Sequence, residues 1–412
     1  MNPVAARTFF EAVGIDTHPN RRRTAWGQTN WESAFAETGV ANTRGLIGSG
    51  RGGHAALSHL QGLFGNGVKL CATVAPKGAD FDLGAINANI DFLANTVGAE
   101  NLCGIESANE YNKPSSRPAD WVVRLRHFQA WLYETVKAHP ALRAVPVVGP
   151  SLWGRLTSDI AALGSLEPYV DKACLHYYTG GRRPTRAGKP SSASEGGGTA
   201  EYALTDAIRE ARTQAPTKPL YITEYGYPIA GPGLPLSSGF ITETAAAKYL
   251  IRGLLDMFGD GVEKIFVYSL LDDEERNPPR YHGLMSTSLS RRKTFYAIKN
   301  LIALMYDPRR ALPLRPLDLA LDNNGRVKSM LFQKSDGAYL LTLYQDVDSY
   351  DRTTRQDIAV APVPVSLTLA RPAAKIETFI PNDDVAAKQS VSGSRRLTIP
   401  IRDEVTVVKI TP

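Results

Sequence analysis

Between residue 10 and about residue 306 this chain repeats one pattern eight times: a short apolar strand-like run, then a helix-like or loop segment. The runs are 10–17, 40–46, 69–75, 102–108, 146–150, 172–177, 220–224 and 264–270. They are apolar on both faces, as strands covered by helices should be. Amphipathic stretches at 83–97, 121–139, 201–214 and 244–258 separate some of them, and 294–306 closes the series. Such alternation predicts parallel βα units, and eight units in this length fit a closed (β/α)₈ TIM barrel better than an open sheet. No Gly-x-Gly-x-x-Gly follows the first run and no Gly-Lys-Ser/Thr loop occurs, so a nucleotide fold lacks support.

After Pro308 and Pro313 the texture changes. Runs at 326–333, 338–345, 363–370, 375–379, 396–401 and 404–410 are β-rich and are separated by turn signals such as Asn-Asn-Gly and Ser-Asp-Gly. Several alternate apolar with polar residues, which predicts a two-layer antiparallel sandwich. The expected organisation is therefore a barrel over 1–310 and an all-β sandwich domain over 311–412. The second part contains no tryptophan, and packing on the barrel is its expected role.

At 412 residues, 43% hydrophobic and 21% charged, the chain reads as globular. No apolar run approaches the roughly 18 residues of a membrane span, so no membrane partner is expected. The first ten residues lack the long apolar core of a secretory signal. Either the protein works in the cytoplasm, or a signal was removed and it works outside the cell or in the periplasm. Cys71, Cys103 and Cys174 lie in strand-like runs and read as buried free thiols, the odd number being a poor disulfide framework. The net charge of +6 is mild, compatible with an acidic substrate or with a solvated basic surface. Nothing in it has the interleaved basic and aromatic pattern of a nucleic-acid module. Oligomeric state is open.

The chemistry concentrates at two strand ends. Run 102–108 stops at Asn109 and Glu110; run 220–224 ends at Glu224. In a parallel barrel, strand C-termini carry the site. Two carboxylates there are what glycosidic cleavage needs, one to protonate the leaving oxygen and one to attack or to activate water. A separation near 5 Å would mean retention of configuration, and a gap of roughly 6.5–9.5 Å inversion. Arg44, ending the second strand, either orients a carboxylate or makes a structural ion pair. His176 and Tyr178, ending the sixth, either bond a glutamate or sugar or, for His176, sit as a satisfied core histidine. Asp16 and His18 face the same mouth from strand one. A metal cluster of these groups lacks His-x-His or His-Glu-x-x-His spacing, so no metal is expected. Trp153, Trp26 and Trp31 are candidates for stacking on sugar or for core packing; Trp121 and Trp131 read as packing residues. The polar stretch 179–199 is either a lid or contact for an anionic sugar, or merely a flexible basic loop.

Ala-Asn-Glu-Tyr-Asn at 108–112 and Ile-Thr-Glu-Tyr-Gly at 222–226 resemble the strand-four and strand-seven signatures of glycoside hydrolase clan A. Arg44, His176-Tyr-Tyr178 and His282-Gly-Leu-Met285 are also similar to that clan. A sandwich after the barrel is most like family 39, with families 30 and 5 as neighbours. The resemblance implies that Glu110 is the acid/base, Glu224 the nucleophile, and the outcome retention. It departs from the clan at strand eight, where Phe266-Val-Tyr-Ser-Leu-Leu-Asp-Asp273 has no tryptophan to floor the first subsite. Asp272 and Asp273 are the candidate polar replacements.

The expectation is thus a retaining glycoside hydrolase without a cofactor, acting on an oligo- or polysaccharide. Asn109, Arg44, His176, Tyr178, His18, Asp16 and Trp153 are its candidate substrate-binding residues. The alternatives are a non-catalytic carbohydrate-binding protein on the same barrel and a metal-dependent barrel hydrolase.

Overall fold

The structure is a computed structural model. It describes residues 1–47, 51–75, 81–154, 157–188, 201–231, 233–237, 239–273, 281–308, 313–322 and 325–412. Strand β1 (Val4–Ala5) leads into a short helix, Ala6–Ala12, and then into β2 (Val13–Asp16). The first strand is therefore shorter than the expected run 10–17. Its apolar start is helical, and Phe9 and Ala12 point into the core rather than into a sheet.

Strands β3 (Asn42–Leu46), β4 (Lys69–Ala75), β5 (Leu102–Ala108), β6 (Val147–Val148) and β7 (Ala173–Tyr177) follow. A two-stranded hairpin, β8 (Arg186–Gly188) with β9 (Glu201–Ala203), precedes β10 (Leu220–Tyr225) and β11 (Val262–Val267). Residues 201–203 thus extend before the helix Leu204–Arg212, where a single helix over 201–214 was expected. Eight parallel strands run in the order β6-β5-β4-β3-β2-β11-β10-β7. A parallel bridge from Val148 to Lys172, and Gly149 N donating to the Lys172 carbonyl at 2.9 Å, bring the two ends together. This is the (β/α)₈ barrel, all but closed. Its helices include Arg51–Gly65, Leu83–Phe92, Trp121–Ala138, Glu243–Gly259 and Lys293–Met305. Among the described residues, no helix is long and apolar enough to cross a membrane.

The C-terminal part comprises β12 (Leu319–Asp322), β13 (Val327–Gln333), β14 (Tyr339–Gln345), a small ribbon of β15 (Tyr350–Asp351) and β16 (Gln356–Asp357), β17 (Val363–Phe379), β18 (Gln389–Ile401) and β19 (Thr406–Thr411). Runs 363–370 and 375–379, read as two strands, are one 17-residue strand. It shifts register against β18 between Thr368 and Ala373, and its two halves pair with different neighbours, β12 and β19. The two layers of the sandwich therefore belong to a single seven-stranded sheet, bent where β17 is irregular. Residues from both halves meet in one core: Val365, Leu367, Leu397 and Ile399 with Leu341, Leu343, Val408 and Ile410.

β14 is buried along its whole length because it has a core on each side. Tyr339, Leu341 and Leu343 face the domain's own core. Leu340 and Tyr344, on the opposite face, join the large core of the barrel. The β part thus packs on the barrel along helix Glu243–Gly259. Arg252, fully buried in that helix, donates to the Val347 carbonyl at 2.9 Å and lies against the rings of Tyr249 and Tyr344. Tyr344 and Lys328 both donate to Asp256, at 2.7 and 2.5 Å. β1 joins this sheet too, pairing in parallel with β13 through Val4–Phe332 and Ala5–Gln333. Residues 4–5 therefore lie in the C-terminal sheet although they precede the barrel.

Candidate active site

Arg44 is the hub of the barrel mouth. It leaves β3 almost fully buried and meets four side chains. Its Nε and Nη2 hold Glu106 in a two-point clamp, at 2.5 and 2.8 Å. Nη1 donates to Glu224 Oε1 at 2.8 Å, and Nη2 also donates to Asn109 Oδ1 at 2.9 Å. Asp16 Oδ1 lies 3.6 Å from Nη1. A planar, permanently charged fork suits this task, because it binds one carboxylate side-on while its remaining N–H groups serve others. Burial opposes the Arg44 charge, but Glu106, Asp16 and Glu224 outweigh it and hold its pKa well above the usual value.

Glu106 was not singled out from sequence, yet it anchors the cluster. It accepts from Thr73 Oγ1 and Thr223 Oγ1, both at 3.2 Å, besides Arg44. A glutamate inside an otherwise apolar strand requires a buried cation, and that was the available signal.

Thr223 and Glu224 are consecutive, so a regular strand would point them to opposite faces. Here Thr223 reaches Glu106 while Glu224 reaches Arg44. The register of β10 slips at this point against both β7 and β11. That irregularity turns both side chains toward the mouth.

Glu224 has a second anchor: Tyr178 donates its hydroxyl to Oε2 at 2.8 Å. Glu110 follows β5 with φ at +50°, a left-handed backbone that a glutamate rarely adopts. Its N–H donates to the Ser151 carbonyl at 2.9 Å, which fixes the turn against the next barrel segment. Strain held at such a position is often associated with function. His176 sits between the glutamates, its Nδ1 3.2 Å from Glu110 Oε1 and 3.5 Å from Glu224 Oε2. Burial alone would lower the pKa of His176; the Glu224 charge and the Glu110 hydrogen bond raise it above the usual histidine value. One ligand-type atom from each of Glu110, His176 and Glu224 lies within 4.8 Å of the others. Such a trio can in principle hold a metal ion.

Asp16 is fully buried, and neither carboxyl oxygen has a hydrogen-bond partner. Burial pushes its pKa well above the carboxylate range, against the pull of Arg44.

His18 lies edge-on to Trp26 and to Tyr268, with ring centroids 5.4 and 5.6 Å apart. Tyr268 and His282 approach each other at 5.6 Å, and His282 meets Tyr178 at 6.0 Å. An edge-to-face chain of His and Tyr rings thus occupies the strand-eight side, where sequence showed no tryptophan. Tyr268 had not been singled out.

Trp153 is half-buried, its backbone N–H donating to Asn112 Oδ1 at 2.7 Å and its carbonyl accepting from Asn112 Nδ2 at 3.0 Å. Trp26 and Trp31 are buried, with Trp31 Nε1 donating to the Trp26 carbonyl, so for them core packing is the outcome rather than a stacking platform. Asp272 is likewise structural: it is buried, clamps Arg292 at 2.5 Å and accepts from Gly283 N. Asp273 pairs with Arg21 at 3.0 Å. All three cysteines are free. Of the stretch 179–199, residues 189–199 lie outside the described residues.

No family model matches the sequence, and no curated protein does. Solved structures do match. A family 39 glycoside hydrolase from the gut symbiont Bacteroides cellulosilyticus superposes with a TM-score of 0.67 at 13% identity, covering 99% of this chain and 82% of that one. The chain has the fold of a clan A glycosidase. A glucosidase from Croceicoccus marinus matches at 0.61 and 12% identity, over 100% of this chain and 97% of that one. At such identities the likeness establishes architecture alone.

Proposed function

We propose that this protein is a retaining glycoside hydrolase with Glu224 as nucleophile and Glu110 as acid/base. The observation that carries the reading is the approach of the two carboxylates, with oxygens no more than 4.8 Å apart around His176. Retaining enzymes need about 5–5.5 Å between carboxyl groups, whereas inversion needs room for water.

The environments of the two groups differ in the required sense. Glu224 takes a hydrogen bond from Arg44 on one oxygen and from Tyr178 on the other. Both donors favour the anion. Glu110 instead faces His176, whose Nδ1 lies 3.2 Å from its Oε1. In the first step a Glu224 oxygen bonds to the anomeric carbon as the bond to the leaving oxygen breaks. The Glu110 proton passes to that oxygen. In the second, Glu110 removes a proton from water, water oxygen bonds to the anomeric carbon, and the ester to Glu224 breaks. Asn109, held by Arg44, stands beside Glu110 and is placed to bond a sugar hydroxyl.

A metal reading of the same trio is disfavoured by its hydrogen bonds. Arg44 and Tyr178 already donate to the two Glu224 oxygens, and His176 Nδ1 is within hydrogen-bond distance of Glu110.

The test is a screen of activated aryl glycosides with wild type, Glu224→Ala and Glu110→Ala, following product anomers by NMR. Turnover with retained configuration is expected, abolished in Glu224→Ala. Glu110→Ala should keep activity on leaving groups that need no proton. Normal activity of Glu224→Ala would overturn the assignment, and sugar binding without turnover would favour a binding protein. Insensitivity of activity to chelators is expected.

A further inference from the structure

The end of the barrel opposite the glutamates holds a pair of thiols that the glycosidase chemistry does not use. Cys71 and Cys103 stand near the starts of β4 and β5, and strand starts lie away from the site in a parallel barrel. The two strands pair with a slip: Leu70 meets Leu102, but Cys71 meets Gly104. Cys103 is thus the extra residue of a bulge and falls beside Cys71. Neighbouring strands lie about 4.8 Å apart. That spacing falls within the roughly 4.4–6.8 Å between Cα atoms that a disulfide spans.

Both side chains turn into one space. Cys71 is fully buried with Val148, Cys174, Tyr221 and Phe266, and Cys103 packs against that cluster. The Cys71 sulfur leans across to β5, where a Cβ at position 104 would lie 3.4 Å from it. Its thiol donates a hydrogen bond to the Cys103 sulfur. Cys103 is the partly exposed member of the pair.

The surroundings set the two sulfurs apart. Burial works against a charge on Cys103, but the Cys71 hydrogen bond and the ammonium groups of Lys264 and Lys69 prevail and hold its pKa below the usual thiol value. Lys264 donates to the Glu11 carbonyl at 3.0 Å and to Asn42 Oδ1 at 3.2 Å, and Lys69 donates to the Glu100 carbonyl. Those acceptors are neutral oxygens, so both positive charges still act on a thiolate nearby. Glu263, a carboxylate at the same end, is paired with Lys172 at 2.6 Å. For Cys71 the hydrogen bond to Cys103 and burial both push the thiol well up. An accessible thiolate beside a protonated thiol is the arrangement of a peroxide-sensing cysteine and its resolving partner. Cys174 differs: it is buried, bonded to Thr223 Oγ1 at 3.0 Å, and its thiol is pushed up by burial.

We propose that Cys103 and Cys71 form a peroxide-reactive dithiol at the bottom of the barrel, with Cys103 as the attacking sulfur and Cys71 as the resolving one. The Cys103 thiolate bonds to one oxygen of hydrogen peroxide as the O–O bond breaks, and the departing oxygen takes up a proton and leaves as water. The Cys71 sulfur then bonds to the Cys103 sulfur as the S–O bond breaks, and the hydroxyl leaves as water with the Cys71 proton. Two thiols lose two electrons, and the peroxide is reduced to water. The new bond ties β4 to β5, the strand that carries Glu106 and leads to Glu110.

The test uses the full chain, reduced and freed of reductant, then treated with hydrogen peroxide at neutral pH beside a urea-unfolded sample. Remaining thiols are blocked and the peptides mapped by mass spectrometry. The native chain should yield one linked pair, Cys71 with Cys103, lighter by two hydrogens, with Cys174 recovered as a blocked free thiol. Dithiothreitol should restore all three thiols. The unfolded chain should lose the preference for that pair. Cys71→Ala should leave Cys103 as a sulfenic acid that dimedone captures, while Cys174→Ala should oxidise as wild type does. Oxidised wild type should melt at a higher temperature than reduced, as a cross-link within native geometry stabilises. The proposal is overturned if the native chain stays reduced at a peroxide concentration that oxidises the unfolded one. Entry of Cys174 into the pair, or a lower melting temperature on oxidation, would overturn it as well. Should a variant fail to fold, the wild-type map decides alone. No readout depends on turnover, so the result stands apart from the hydrolase reading.

Discussion

Arg44 Nη1 donates to Glu224 Oε1 at 2.8 Å, joining residues 180 positions apart in the chain. The same guanidinium clamps Glu106 and lies 3.6 Å from Asp16. One cation therefore serves three buried carboxyl groups, and that imbalance sets the behaviour of each.

Arg44→Met would leave those carboxyl groups facing one another in a dry interior. Removing one partner of a buried ion pair costs roughly 3–5 kcal/mol. Urea unfolding should show a loss of that order, and an unchanged midpoint would mean that water or relaxation compensates.

Asp16 makes a prediction in pH. Its folded pKa is raised above the unfolded value, chiefly by burial. The folded state therefore holds the proton more tightly, and its contribution is complete below the unfolded pKa, the ordinary carboxylate range. It is lost as pH rises through the raised folded value. Asp16→Asn cannot ionise and escapes that loss. Relative to wild type, its unfolding midpoint should rise as pH goes from about 4 to about 8, which is the range in which an ordinary carboxylate is ionised when unfolded. Parallel profiles for the two proteins would refute the account.

Tyr178→Phe removes the Tyr178 hydrogen bond to Glu224 without touching Arg44. A hydrogen bond to a charged group is worth roughly 1.5–3 kcal/mol. Under the proposed mechanism kcat on aryl glycosides should fall by about 10–100-fold, with the fold retained by circular dichroism. An unchanged kcat would remove Tyr178 from the machinery.

Arg252→Met tests the seam. The guanidinium is fully buried between the helix Glu243–Gly259 and the β domain, where its Nη1 and Nη2 donate to Ser349, Val347 and Asp346. Methionine replaces the stem but leaves those acceptors unmet, costing about 1–3 kcal/mol for each one left buried. Proteolysis in the segment joining the two parts should become faster than in wild type.

The eight-fold alternation was legible because buried parallel strands leave apolar runs of a recognisable length. Leu102–Ala108 and Lys69–Ala75 have the bounds read from sequence. The segment 10–12 misled because Phe9 and Phe10 are as apolar in a packed helix as in a strand. The two glutamates, Arg44, His176 and Tyr178 come together as their strand-end positions suggested. What periodicity could not reveal is that Glu106, two strands away on β5, shares the Arg44 guanidinium with Asp16 of the adjacent β2, or the slip in β10 that turns Thr223 inward. Those depend on which strands face each other.

Val4 and Ala5 pair with Phe332 and Gln333. At synthesis rates of roughly 5–20 residues per second, their partners emerge about 15–65 s after they do. For that interval the segment ahead of the barrel has no sheet to join. The β domain, made after the barrel, secures residues 4–5 as it folds. Barrel and β domain are thus two parts on paper and one closure in assembly, with residues 4–5 acting as the clasp.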